Sequence, residues 1–211
     1  MSALQIGEYL SGAQCNFSVV ERVATFERGS HLYLPEHLNP DFNLTQVEVC
    51  ASGAAVVLRN YLLPEFVNQL EKLALTTGFD MLDGERFATA LPLDTPNAAL
   101  AYQKAVATET KGDTSIYANM YPAGTEGIIH KDSGAIGPNV IMGKNPGGLL
   151  LYEDVKSGRR LSRREEYGSP YEYIDYSGGD VLIVDGVNKS HSGVSTGRIP
   201  RYSFVGYQLV I

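Results

Sequence analysis

From Ser115 onward the sequence repeats one pattern: short runs rich in β-branched, aromatic and leucine residues, each closed by Gly, Pro, Asn or Asp, with no stretch that keeps a helical period. The runs are SIYANMY, GIIH, NVIM, GLLLYED, YEYIDY, DVLIVD, HSGVS and RYSFVGYQLVI. Eight short strands at near-regular spacing suggest an all-β barrel or a jelly-roll sandwich. Whatever precedes Ser115 then has to pack against the outside of that core.

The preceding segment supplies such packing. Ala54 begins a β-branched stretch, Pro64 stands at a first helical position, and Phe66, Leu70, Leu73 and Leu75 follow near helical spacing up to Gly78. A second helix is expected over Asn97 to Thr110, alanine-rich, with an Asn to cap it and Gly112 beyond its end. Residues 1–53 hold only short apolar pieces, HLYL and TQVEVC, between turn residues. The expected fold is mainly β (α+β): one domain over 1–211, with an N-terminal extension (1–53), a strand and supporting helices (54–114), and a β core (115–211).

At 211 residues with 44% hydrophobic and 19% charged content, the chain is long enough for a substantial core. Its net charge of −7 disfavours broad attraction to phosphate backbones or anionic membranes. Nucleic acid and membrane are therefore the less expected partners. Cys15 and Cys50 are too few for a disulfide framework and lack zinc-type spacing. No apolar stretch approaches the roughly 20 residues needed to span a bilayer, and no leader pattern opens the chain. A cytoplasmic protein is expected.

The chemistry-bearing residues cluster in the β region. His130 and Asp132, in IIHKDSG, stand at i and i+2, so a strand running through them aims both side chains to one side. Two imidazoles and one carboxylate on one face make the open-sided set of non-haem Fe(II) oxygenases. The only histidine after Asp132 is His191, just past the apolar run DVLIVD. Ten residues on, Arg201 and Ser203 again stand at i and i+2, a fork and a hydroxyl suited to a carboxylate.

In order and spacing, His130, Asp132, His191, Arg201 and Ser203 resemble the His-x-Asp, distal His and Arg-x-Ser signature of the Fe(II)/2-oxoglutarate-dependent oxygenases. VVLRNYLLPEFVNQLEKLA, YPAGTEGIIHKD, GGLLLYED and SGGDVLIVDG resemble successive segments of the prolyl-4-hydroxylase-like branch, so the likeness covers about 155 of 211 residues. Asn119 and Tyr121 resemble the Asn-x-Tyr of the alkylated-base demethylases, where both contact the cosubstrate.

The resemblance implies a double-stranded β-helix (jelly-roll, cupin-like) core. It also implies Fe(II) on His130, Asp132 and His191, and 2-oxoglutarate held by Arg201 and Ser203 with Tyr121 and Asn119. With O2, such an enzyme releases succinate and carbon dioxide while abstracting hydrogen from a substrate. The presence of Asp132 argues against halogenation. Arg86, in GERFATA, lies where related hydroxylases place a substrate-facing residue. The charged stretch from Lys156 to Tyr173 reads as a lid or a solvated loop, and Lys131, Asn139, Tyr152 and Asp185 are further cavity candidates. A small-molecule hydroxylase is the leading expectation. A nucleic-acid demethylase or base hydroxylase, a 2-oxoglutarate-independent Fe(II) oxidase and a non-catalytic β-sandwich stand as alternatives.

Overall fold

A computed structural model describes residues 39–83, 86–90, 114–131, 139–153, 168, 170–186 and 188–208. HLYL, the expected helix over 97–110, Asp132 and most of the 156–173 insert lie outside the described residues.

Among the described residues eleven strands form two sheets. The larger contains β1 (Val47–Val49), β2 (Ala55–Leu58), β3 (Asp80–Asp83), β4 (Arg86–Ala90), β5 (Thr114–Tyr121), β6 (Asn139–Lys144), β9 (Val181–Val184) and β11 (Arg201–Gln208). Its order is β1-β2-β9-β6-β11-β5-β4-β3. The smaller has β7 (Gly147–Tyr152), β8 (Glu172–Asp175) and β10 (Ser190–Ser195) in the order β10-β7-β8. All described pairings are antiparallel. Two antiparallel sheets face to face, with β8, β9, β10 and β11 passing from one sheet to the other in turn, are the double-stranded β-helix that the sequence pattern suggested.

Seven of the eight runs become strands within a few residues of their expected limits. The exception is GIIH, which meets β10 at the isolated bridge His130↔His191, with a second isolated bridge, Glu126↔Val194, just before it. Before the core, β3 and β4 extend the larger sheet over residues 80–90, a stretch past the first expected helix to which the sequence reading assigned no element.

Burial separates the two sides of the larger sheet. Val57, Leu182 and Val184 face the smaller sheet, where Leu149, Leu151, Ile174 and Tyr176 meet them in an apolar layer. Val56, Leu58, Val181, Ile183, Tyr202 and Phe204 face the other way, onto helix α1 (Pro64–Thr77). Proline at its first turn lacks only an N–H that would be unpaired there anyway. At the other end Gly78 leaves the helix at φ 88°, a left-handed conformation that glycine adopts at no steric cost.

The buried stripe of α1 is Phe66, Val67, Leu70 and Ala74. Leu75 does not belong to it and is 54% exposed. Five positions after Leu70, at about 100° per residue, it falls roughly 140° round the helix. No helix among the described residues is long and apolar enough to cross a membrane.

Candidate active site

Four of the expected residues form a square on the inner face of the larger sheet. Arg201 pairs with Tyr121 and Ser203 with Asn119 across the β11–β5 ladder. Directly opposed residues of an antiparallel pair project to one face, as do positions i and i+2. All four are buried, Arg201 completely at 0%.

Arg201 is the most unusual of them. Its Nη1 donates to the Asn145 carbonyl at 2.6 Å and its Nη2 to the Tyr176 carbonyl at 2.8 Å. Its guanidinium carbon lies 4.4 Å from the centroid of the Tyr176 ring, close enough for cation–π attraction. Nε, also buried, has no hydrogen-bond partner, and no described carboxylate pairs with the side chain. A buried cation held only by neutral groups is expensive unless an anion joins it. Its charge reaches the rim at Tyr173, where burial first, and then Asp175, push the phenol above its ordinary value against the opposing pull of Thr196 and Arg201.

Two glycines make the space. A Cβ on Gly147 would fall 2.6 Å from Arg201 Cδ and 2.1 Å from the Val194 carbonyl oxygen. A Cβ on Gly193 would fall 2.4 Å from Tyr121 Oη. Gly193 follows His191 by two positions on β10, so the Tyr121 ring reaches across from the larger sheet to the strand that carries this histidine.

His130 and His191 face each other as a bridge pair, each donating its backbone N–H to the other's carbonyl at 2.9 Å. Their ring centroids are 4.6 Å apart. Each ring is held the same way: His130 Nδ1 lies 2.8 Å from the Ile128 carbonyl and His191 Nδ1 2.9 Å from the Lys189 carbonyl. A carbonyl oxygen only accepts, so Nδ1 carries a proton in both rings, and in the neutral imidazole Nε2 is then the nitrogen able to ligate. That tautomer, with the second nitrogen tied to a backbone acceptor, is the one in which a histidine ligates a metal through Nε2.

Among the described residues no group of three His, Cys, Asp or Glu stands together to hold a metal. The histidine pair is present, and Asp132 lies outside the described residues. Donor chemistry and tautomer fit a divalent transition metal, and the unpartnered Arg201 Nε fits an anionic co-ligand.

The weaker candidates separate. Arg86 opens β4, one position before Phe87 pairs with Met120 of β5. Asp185 is buried at the end of β9, with both carboxylate oxygens bonded by the Asn188 amide at 2.9 and 3.1 Å. Tyr152 does not face the cavity. It pairs with Ser190, packs with Ile129 and Leu150 on the outer side of the smaller sheet, and donates its hydroxyl to Glu126. The reason is strand parity, because Leu151, not Tyr152, stands opposite His191.

No protein-family model and no curated protein matches the chain. Solved structures do. A Pseudomonas putida prolyl-4-hydroxylase aligns at 10% identity over 75% of this chain and 93% of its own, with a TM-score of 0.51. HygX from Streptomyces hygroscopicus, with nickel and 2-oxoglutarate bound, aligns at 12% identity over 75% and 84%, with a TM-score of 0.50. The fold is that of the Fe(II)/2-oxoglutarate oxygenases. OsALKBH1 has the same fold at 14% identity, over 74% of this chain and 97% of its own, with a TM-score of 0.50.

Sequence inspection missed three features of this site: the Tyr176 platform, the two glycines that clear it, and the carbonyls that orient the imidazoles. Only GG at 147–148 and SG at 192–193 gave any signal, as glycines interrupting apolar strands.

Proposed function

We propose that the protein is an Fe(II)- and 2-oxoglutarate-dependent oxygenase acting in the cytoplasm on a small-molecule substrate. The observation that carries this reading is the fully buried Arg201, with an unpartnered Nε, on the same inner face as Asn119, Tyr121 and Ser203. The HygX structure, which holds nickel and 2-oxoglutarate on the same fold, supports it.

His130 and His191 would hold the metal through Nε2, with Asp132 as the third ligand. Arg201 would receive the distal carboxylate of 2-oxoglutarate, with the Ser203 hydroxyl on the same face, while the Tyr176 ring lies against the guanidinium. Asn119 and Tyr121 line the same pocket, and Gly193 keeps the Tyr121 ring close to the metal strand. Leu149, Leu151, Leu182 and Val184 form an apolar floor that excludes water from the reacting groups. When bound, Fe(II) and 2-oxoglutarate supply an oxidation by O2 that releases succinate and carbon dioxide and takes hydrogen from the substrate. Positioning and shielding are the protein's part. Arg86 is assigned to the substrate side.

The test is anaerobic addition of Fe(II) and 2-oxoglutarate, followed by a screen of amino acids and small acids for substrate-stimulated succinate. Formation of the visible chelate band and stimulated succinate are expected. No band and no succinate would sink the proposal, and turnover without 2-oxoglutarate would replace it with an Fe(II) oxidase. A nucleic-acid substrate is disfavoured by the net charge of −7 and is not needed to explain Asn119 and Tyr121, which lie in the cosubstrate square. Salt-dependent binding of oligonucleotides checks that directly.

A further inference from the structure

We infer that Glu126 is a positioning residue for the metal centre, clamping the segment that carries His130 to the strand that carries His191. This rests on the oxygenase reading above. Glu126 lies on the outer side of the smaller sheet, away from the reacting groups. Its Oε1 accepts the Ser192 hydroxyl at 2.7 Å and also the Tyr152 hydroxyl. Ser192 and Tyr152 are both 0% exposed. Ser192 neighbours His191 on β10, and Tyr152 stands on β7 opposite Ser190. One carboxylate oxygen therefore ties together the segment leading to His130, β10 and β7.

The need for a clamp follows from register. Glu126 faces Val194, Gly127 N–H donates to the Gly193 carbonyl, and Ser195 N–H donates to the Thr125 carbonyl. Continued in that register, Ile129 would face His191. The structure instead places His130 there, so one extra residue is accommodated between Gly127 and His130, the signature of a β-bulge. A slip of one position exchanges the two faces of a strand. It would put Ile129 on the metal side and His130 in the apolar cluster that Ile129, Leu150 and Tyr152 form with Val194.

Stability alone does not account for a carboxylate in this place. Apolar groups of matching shape can replace a buried hydrogen-bonded set at little cost. What two directional O–H bonds to one oxygen add is register. Glu126 fixes the segment upstream of the bulge, Ile129 fixes it downstream, and His130 emerges opposite His191.

The test uses the metal-free protein titrated with Co(II), read by visible d–d absorption and dissociation constant, beside its thermal unfolding without metal. The native chain is expected to bind Co(II). Glu126→Ala is expected to raise the Co(II) Kd about 10- to 100-fold, the range for loss of groups that orient ligands, and to alter the band shape. Glu126→Gln, whose amide oxygen still accepts both hydroxyls, is expected to stay within about 3-fold of native. Tyr152→Phe combined with Ser192→Ala removes both donors with little change of shape and is expected to resemble Glu126→Ala. A native Kd and spectrum in Glu126→Ala overturns the inference. Should that variant not fold, the same result in the double variant does so. A Gln variant as weak as the Ala variant also overturns it, because charge rather than register would then be acting. Absence of Co(II) binding by the native protein is a different outcome, which removes the metal centre itself.

Discussion

Arg201 and Ser203 belong to an eight-residue strand that pairs with β5 along its whole length and with β6 over five positions. His130 stands in a stretch that meets β10 through isolated bridges in two different registers. The proposed cosubstrate end of the pocket is thus built by regular alternation, and any residue at i, i+2 or directly opposite joins the same face. The proposed metal end is built by an irregularity and has to be held by side chains and carbonyls: Nδ1 on a carbonyl in each ring, and Glu126 behind the sheet. A regular ladder positions groups cheaply but only on its own lattice. A bulge aims a side chain off that lattice and then needs local bonds to keep it there.

If the two ends are separately built, they fail separately. His191→Ala removes a proposed ligand whose ring packs against His130, and its effect is expected to be the largest. Co(II) or Ni(II) affinity should fall more than about 100-fold, beyond the range for groups that only orient ligands, while apo-protein unfolding shifts by a few degrees at most. Arg201→Met is the converse. Loss of a buried charged hydrogen bond to an anion costs about 2–5 kcal/mol, so the 2-oxoglutarate Kd should rise at least ~30-fold. Co(II) affinity without 2-oxoglutarate should stay within about 3-fold. Paired titrations of both variants decide the matter: if Arg201→Met damaged metal affinity as much as His191→Ala does, the division into two ends would collapse.

Gly193→Ala probes the contact between them. The added methyl meets Tyr121 Oη and Cζ within 2.5 Å, so the ring has to swing away. Overpacking of this kind costs about 1–3 kcal/mol. A fall of roughly 10-fold in 2-oxoglutarate affinity is expected, with Co(II) affinity retained because the His130–His191 bridge is untouched. An unchanged 2-oxoglutarate Kd would show that Tyr121 takes no part in holding it.

What the sequence made legible follows the same division. Strand alternation exposed Arg201 with Ser203 and Asn119 with Tyr121, because the information is local and the ladder then aligns the two pairs. Pro64 and Gly78 bounded α1 for the same local reason. The stack of Arg201 on Tyr176 joins residues 25 apart, and the Ser192–Glu126 bond joins residues 66 apart. No spacing rule connects them. The bulge was hidden for another reason: GIIH fits a plain strand by composition, and only pairing with β10 shows that it carries one residue too many. Leu75 misled because leucine satisfies a loose helical count while lying off the buried stripe.

The smallest effect is expected at Arg86, on the far side of β5 from β11. β4 places Ala88 opposite Asn119, so the strand runs beside the square without belonging to it, and its first residue stands toward the end where Tyr121 lies. Arg86→Ala should therefore leave Co(II) and 2-oxoglutarate Kd values unchanged. Against the substrate found by the succinate screen, a single charge-assisted hydrogen bond is worth about 1.5 kcal/mol where it is shielded and less where water reaches it. KM is expected to rise ~3- to 10-fold, with succinate formation in the absence of substrate unaltered. Equal KM values in the two proteins would move substrate recognition off β4, and a loss of 2-oxoglutarate affinity would make Arg86 part of the cosubstrate end after all.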